Sequence, residues 1–483
     1  MYTPTLDMVK ELKDQGNLVV VSRELMADLE TPVSAFLKIQ RGGLSFLLES
    51  VEGGQRMARY SFIGTEPRRV IVADATSRTD PLAAVEKELA SRRIVHQPGL
   101  PRFCGGAVGY LSYEVAGRFE KLPVPEKDSL ALPEAVFMLT DSFLVFDHVS
   151  HRIKVISLMS IDGGDLEQAY AAATGRIDEL CRRLSEPLKL RTRHKQECST
   201  SSDFTSSVTR ESFEASVASI KEDITAGEAI QVVLSQRLSR ATHADPFDIY
   251  RALRSINPSP YMYYMNMGSF QIIGASPEIL VRVEDGEIVT RPLAGTRRRG
   301  ATPEEDVALE AELKADPKER AEHIMLVDLG RNDIGRVAEP GSVEVSNLMN
   351  VERYSHVMHL VSHVKGKLRK GLSVYDALRA TFPAGTVSGA PKVRAMQIIA
   401  GHEPEKRGPY AGAVGYFSYS GNMDMAIAIR TMVTSGGYAY VQAGAGIVYD
   451  SQPAAEYNET LNKAQALFKA VSQAETGGNQ EAA

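Results

Sequence analysis

The stretch GAVGYLSYE, residues 106–114, recurs far downstream as GAVGYFSYS, residues 412–420. Small residues alternate with valine and aromatic residues, the composition of a strand that approaches another backbone closely. The separation is much too long for a solenoid repeat. The echo therefore points to two related sheets within one α+β assembly, unless it is a chance likeness between two Gly/Tyr strands.

Strand and helix signals alternate on either side of these copies. RIKVISLMS (residues 152–160), FQIIGASPEILVRVEDGEIVTR (270–291) and AYVQAGAGIVYD (439–450) are rich in β-branched residues and end at turn formers. Asp285-Gly286 marks a hairpin. Helical periodicity runs through residues 303–316, 316–333 and 451–473. Asp316 suits an N-cap and Pro317 the first helical position, and Pro453 opens the last helix in the same way.

The chain has 483 residues with 43% hydrophobic and 24% charged, the balance of a globular protein with a large core. Its net charge of −6 does not invite nucleic acid or an anionic membrane. No apolar run approaches the roughly 20 residues of a membrane span. Three cysteines, Cys104, Cys181 and Cys198, fit neither a metal knuckle nor a disulfide scaffold, and a reducing cytoplasm is the default. Residues 183–211, poor in apolar side chains, read as a linker between an N-terminal region, 1–182, and a C-terminal region, 212–466. Residues 473–483 read as a disordered tail.

Four clusters carry chemistry. Glu319 and Glu322 stand three apart on one helix, and Glu456 and Glu459 repeat that spacing on another, with Lys463 one turn on. Spacing alone leaves two solvated faces as an alternative. Aimed at one point, however, four carboxylates repel each other unless a hard cation such as Mg²⁺ lies between them. Gly385, Thr386, Ser388 and Gly389 could offer backbone N–H groups to an anion. Arg430 ends a strand ahead of Gly444 and Gly446, where a ligand could meet bare backbone. His356, His359 and His363 fall on one face if their segment is helical, either as metal ligands or as packed histidines. Lys392 and the run 297–299 read as exposed charge.

Together these stretches resemble the chorismate-utilising enzyme family, and within it the anthranilate synthase component I branch. The likeness is densest over residues 212–466, in GEAIQVVLSQR, PSPYMYYM, GASPE, RPLAGTRRRG, AEHIMLVDLGRNDIGRV, ERYSHVMHLVS, TFPAGTVSGAPKVRAMQII, GPYAGAVGYFSY, AIAIRT and QAGAGIVYDSQPAAEYNET. The resemblance implies an α+β fold of large antiparallel sheets in a sandwich with helices outside. It implies a lyase that uses chorismate and ammonia to make anthranilate and pyruvate, the entry to tryptophan biosynthesis. Glu322 and Glu459 would be direct Mg²⁺ ligands, with Glu319 and Glu456 behind them through water. Tyr410 and Arg430 would grip the enolpyruvyl carboxylate, and Lys463 the ring carboxylate or its metal. Gly295, Thr296, Gly444, Ala445 and Gly446 would supply close contacts. Glu278 matches the acid, with His359 and Thr386 near the departing hydroxyl; His356 and His363 would be structural.

The same resemblance sets the nucleophile. Water-adding relatives carry a lysine where this chain has Gln231, and glutamine cannot deprotonate water. A relative that attacks with a lysine has that side chain where Ala294 stands. Both positions imply ammonia. No G-x-C-x-G or His-x-Glu signature of a glutaminase is present, so a separate glutamine amidotransferase subunit is implied, in a heterotetramer or larger assembly. LLES, residues 47–50, with Ser50, and Pro260, Tyr261 and Met262 match a pocket for tryptophan as feedback inhibitor. The absence of tryptophan from the composition would suit a protein needed when that amino acid is scarce.

Overall fold

The computed structural model describes residues 1–50, 59–77, 79–162, 164–188, 204–354 and 357–477. Most of the linker expected at 183–211, the end of the tail expected at 473–483, Cys198 and His356 lie outside these residues. Within them, one helix continues to Ser185 and the last runs to Glu475.

Two antiparallel sheets, of 12 and 10 strands, form the molecule. The first sheet interleaves strands from both ends of the chain: Leu44–Glu49 pairs with Tyr261–Met267, and Gln231–Ala241 with Tyr438–Ile447. The second does the same, and here the echo resolves. Gly106–Leu111 and Ala413–Ser418 are not in two related sheets but are adjacent strands of one, paired with Gly109 opposite Gly415. The glycines are needed for close packing of backbone. A Cβ on Gly109 would lie 1.9 Å from the Val136 carbonyl oxygen, and one on Gly415 2.0 Å from that of Asp424.

The sheets face each other across a core in which Phe62 from the first meets Tyr416 from the second, with ring centroids 5.7 Å apart and Phe103 against both. Such edge-on aromatic packing adds to the gain from burying the rings. Helices Pro32–Ile39, Leu166–Ser185, Pro246–Ile256 and Pro453–Glu475 cover the outer face of the first sheet through a second core. The α+β sandwich with helices outside is thus the observed architecture.

The helix signals lie where sequence placed them. Asp316 caps Pro317–Gly335, accepting from the Lys318 and Glu319 amides, and Pro317 takes the first turn. Asp285 and Gly286 have positive φ (50° and 80°), as the hairpin turn requires. One expectation fails: the histidine segment is the strand Val357–Lys367, not a helix. Its alternating burial and its pairing with Leu293–Arg298 override the helix-like histidine spacing. Among the described residues no helix is long and apolar enough to cross a membrane.

Candidate active site

The chain crosses between the two sheets twice near one point. Phe270–Ser276 leads to Ile279–Glu284, and Glu278 stands at that corner. Met423–Ile427 leads back to Thr431–Ser435, with Arg430 at the corner in the left-handed region (φ 49°). The corners are tied together: the Ile427 amide donates to the Glu278 carbonyl (3.0 Å), and the Ala275 amide to the Arg430 carbonyl (3.1 Å). Strain of that kind at a non-glycine residue persists where surrounding structure fixes it, and it concentrates at functional sites.

Between these corners and the helices Pro317–Gly335 and Pro453–Glu475 lies a cavity of about 690 Å³. Glu278, His359, Thr386, Gly295, Thr296, Tyr410, Arg430, Gly444, Gly446, Lys463 and all four helical glutamates line it. Ala445 does not: strand alternation turns its side chain into a small core with Phe213 and Val232. Ser50, Tyr261 and Met262 line a separate pocket, and Pro260 lines both.

Glu278 is 7% exposed, and burial pushes its carboxyl up to about 8 against the weaker opposing pull of Thr386 and Lys463. At neutral pH it is a carboxylic acid with a proton to give. His359 is held neutral in the same direction by burial, opposed by its hydrogen bond to the Gly295 carbonyl and assisted by the nearby Arg430 charge. Its Nδ1 is 3.0 Å from the Gly295 carbonyl and 3.0 Å from Thr296 Oγ1. With Nδ1 donating to that carbonyl, Nε2 is left as an acceptor. Gly295 itself needs its positive φ of 69°.

The Arg430 guanidinium has no hydrogen-bonding or carboxylate partner among the described residues, and burial lowers its proton affinity. A guanidinium so placed is a carboxylate-binding group in want of a ligand. The Tyr410 hydroxyl sits where a Cβ on Gly444 would fall (2.7 Å), and the Gln231 amide where one on Gly446 would fall (2.6 Å). Glycine at both positions therefore lets these side chains reach the cavity.

The acidic helices face each other across it. Glu322 is raised by burial and further by Glu319 and Glu459; Glu456 is raised by burial and by Glu459. Gln231 Nε2 donates to Glu322 (3.2 Å), while its Oε1 is buried without a partner among the described residues. Lys463 pairs with Glu459 (2.7 Å) and donates to the Gly444 carbonyl (2.9 Å). Among the described residues no three His, Cys, Asp or Glu side chains converge as a ready metal cage. The donor chemistry fits Mg²⁺ nonetheless. That ion takes hard oxygens, commonly one or two carboxylates, and completes its shell with water and substrate.

Sequence reasoning passed over several lining residues. Tyr354 packs edge-on to His359 (5.7 Å) and donates to Glu352. Gln442, whose buried Oε1 has no partner among the described residues, precedes Gly444 and Gly446 at the period-2 spacing that puts all three on one strand face. That spacing was the available signal. Two charge readings are corrected. Lys392 is not exposed but part-buried, its ammonium paired with Asp333 (2.7 Å). Arg297 is bound by Glu312, Asp316 and Glu319, and Arg299 by Asp306, while Arg298 between them is exposed as expected.

Residues 44–469 match the family model of the chorismate binding enzymes. The chain therefore belongs to that family. Within it, the chain is similar to anthranilate synthase component 1 of Acetivibrio thermocellus, 48% identical with 98% of this chain and 99% of the relative covered. That of Pseudomonas aeruginosa is 49% identical, with 96% and 97% covered. Among solved structures, anthranilate synthase component I of Streptococcus pneumoniae superposes with a TM-score of 0.78 at 40% identity, covering 92% of this chain and 99% of that one. The menaquinone-specific isochorismate synthase of Escherichia coli shares the fold, with a TM-score of 0.72 at 20% identity over 97% and 99% of the two chains.

Proposed function

We propose that this chain is the large subunit of an anthranilate synthase, converting chorismate and ammonia to anthranilate and pyruvate at the first step of tryptophan biosynthesis in the cytoplasm. The observation that carries this is the joining, in one cavity, of a protonated Glu278, an unpartnered Arg430 and two opposed acidic helices, in a chain so similar to anthranilate synthase component 1.

Chorismate is a small dianion. Arg430 and Tyr410 hold the enolpyruvyl carboxylate, Arg430 because no internal acid competes for it. Gly295, Thr296, Gly444 and Gly446 let the ring approach the backbone. Glu322 and Glu459, backed by Glu319 and Glu456, would hold Mg²⁺, and Lys463 supports the same side. The ion supplies charge stabilisation and a template for the ring carboxylate. Ammonia forms the new C–N bond at ring C2 while the C4–O bond breaks. Glu278 gives its proton to the departing oxygen, which leaves as water. Thr386 and His359 keep that oxygen oriented. Loss of a ring proton and of the enolpyruvyl group as pyruvate then yields the aromatic product. Gln231 offers no base to activate water, and Ala294 no amine to attack the ring, so ammonia remains the nucleophile.

The ammonia comes from a glutamine amidotransferase subunit, in a heterotetramer or larger assembly. Tryptophan inhibits by binding the separate pocket lined by Ser50, Pro260, Tyr261 and Met262. Its polar wall joins the two sheets: Tyr261 donates to Asp424 (3.0 Å), and Arg282 donates to both Asp424 (3.1 Å) and Tyr261 (3.0 Å). Because Pro260 borders both cavities, a ligand in one bears directly on the wall of the other.

The test is incubation with chorismate, Mg²⁺ and an ammonium salt, with and without tryptophan, following anthranilate fluorescence and pyruvate. Isochorismate, salicylate or aminodeoxychorismate as product would refute the roles given to Gln231 and Ala294. Tryptophan binding with no turnover would make the chain a silent regulator.

A further inference from the structure

Arg407 is the largest fully buried side chain among the described residues, and it lines none of the proposed substrate cavity. Its guanidinium nevertheless holds three pieces of that cavity from behind. One nitrogen donates to the Val387 carbonyl (2.7 Å), next to Thr386. Another donates to the Val233 carbonyl (2.7 Å), on the strand that begins with Gln231. The Tyr410 ring centroid lies 5.6 Å from the guanidinium carbon, and Tyr113 stacks closer on the same cation, at 4.5 Å.

The charge is matched by Glu403, four residues earlier in sequence, which accepts from Nη2 and Nε of the fork (2.7 and 2.8 Å). Glu403 in turn accepts from the Ser235 amide and hydroxyl (2.8 and 2.7 Å), and Gln442, on the cavity wall, donates to that hydroxyl (2.9 Å). Glu114 fixes the backbone of the hub, accepting from the Arg407 amide (2.7 Å) and the Gly408 amide (3.1 Å). Glu114 closes the first copy of the repeated motif, so the sheet centre and the site share one buried network.

A fully desolvated ion pair is poor evidence for stability, since apolar residues of like volume serve as well or better. Its geometric value is different. A planar fork fixes several acceptors at once, which an ammonium cannot do. We propose that Arg407, aligned by Glu403, is a positioning residue for the reaction: it sets Thr386 against Glu278 and Tyr410 against the enolpyruvyl carboxylate. The proposal rests on the reading of this cavity as the chorismate site.

The test uses the full chain with chorismate, Mg²⁺ and an ammonium salt. Arg407→Lys keeps the charge and loses the fork; Glu403→Gln keeps the shape and loses the alignment. Each should fold, by circular dichroism and size-exclusion chromatography, yet lose about tenfold or more in kcat/KM, as small displacements of reacting groups do. The loss should divide between a raised KM, through Tyr410, and a lowered kcat, through Thr386. In a double-mutant cycle, Arg407→Lys and Thr386→Ala should be strongly non-additive, because each disables the same contact. Activity of both variants within about twofold of wild type, or losses that multiply as independent sites do, would overturn the proposal. So would failure of both variants to fold, which would assign the pair to stability alone. A wild-type chain that makes no anthranilate would sink the catalytic reading itself, a different result from an active wild type matched by its Arg407 variants.

Discussion

Glu278 shows how burial sets a residue's chemistry. Its folded carboxyl titrates near 8, far above the ordinary value of 4.5. As pH rises from 4.5 toward 8 the unfolded chain releases this proton and the folded chain keeps it, so the residue costs stability increasingly across that window. Glu278→Gln removes the penalty. The variant should melt higher than wild type at pH 8, by calorimetry, with little difference near pH 4, while its turnover falls about 100-fold or more. Wild-type turnover should in turn decline as pH passes 8 and the acid is lost. Glu322→Gln or Glu459→Gln should each abolish Mg²⁺-dependent anthranilate formation and leave the circular dichroism unchanged; near-normal turnover would remove that residue from the metal site. The four helical glutamates and Arg430 were legible because acids at i, i+3 on proline-opened helices and an arginine before a glycine pair are local patterns; the roles of Glu278, His359 and Thr386 came only from the family resemblance. Gln442, Arg407 and the pairing of Lys392 with Asp333 were not, because burial of a polar group is decided by what distant segments bring against it.

At the scale of elements, the helix caps and the Asp285-Gly286 hairpin could be read directly, since a few adjacent residues dictate them. The segment holding His359 could not. Histidines at three- and four-residue spacing suit a helical face, but strand pairing with Thr296 opposite His359 fixes the real geometry. Likewise the motif echo announced two strands without revealing that they are neighbours, which depends on chain topology. Their glycine contact supplies a test. Gly415→Ala should destabilise the chain by about 1–3 kcal/mol, measured by urea denaturation, because the added methyl must displace sheet backbone. Asp316→Ala should lower the denaturation midpoint through the lost cap on the helix that carries Glu319 and Glu322.

For the whole molecule, the two cavities share a sheet boundary, so ligand in one should be felt in the other. Tryptophan should raise the melting temperature of the wild-type chain, the shift growing with the logarithm of its concentration once the site is filled. Ser50→Val should abolish both this shift and the inhibition while preserving uninhibited turnover. Persisting inhibition in that variant would place the inhibitor elsewhere.

The interleaving of early and late strands has a consequence for synthesis. A chain leaving the ribosome presents Leu44–Glu49 and Gly106–Leu111 long before Tyr261–Met267 and Ala413–Ser418 exist to cover their open sides. During that interval unsatisfied backbone and apolar faces invite association with other nascent chains. Soluble yield in the cell should thus depend on translation speed and on holdase chaperones far more than the melting temperature of the finished protein would suggest.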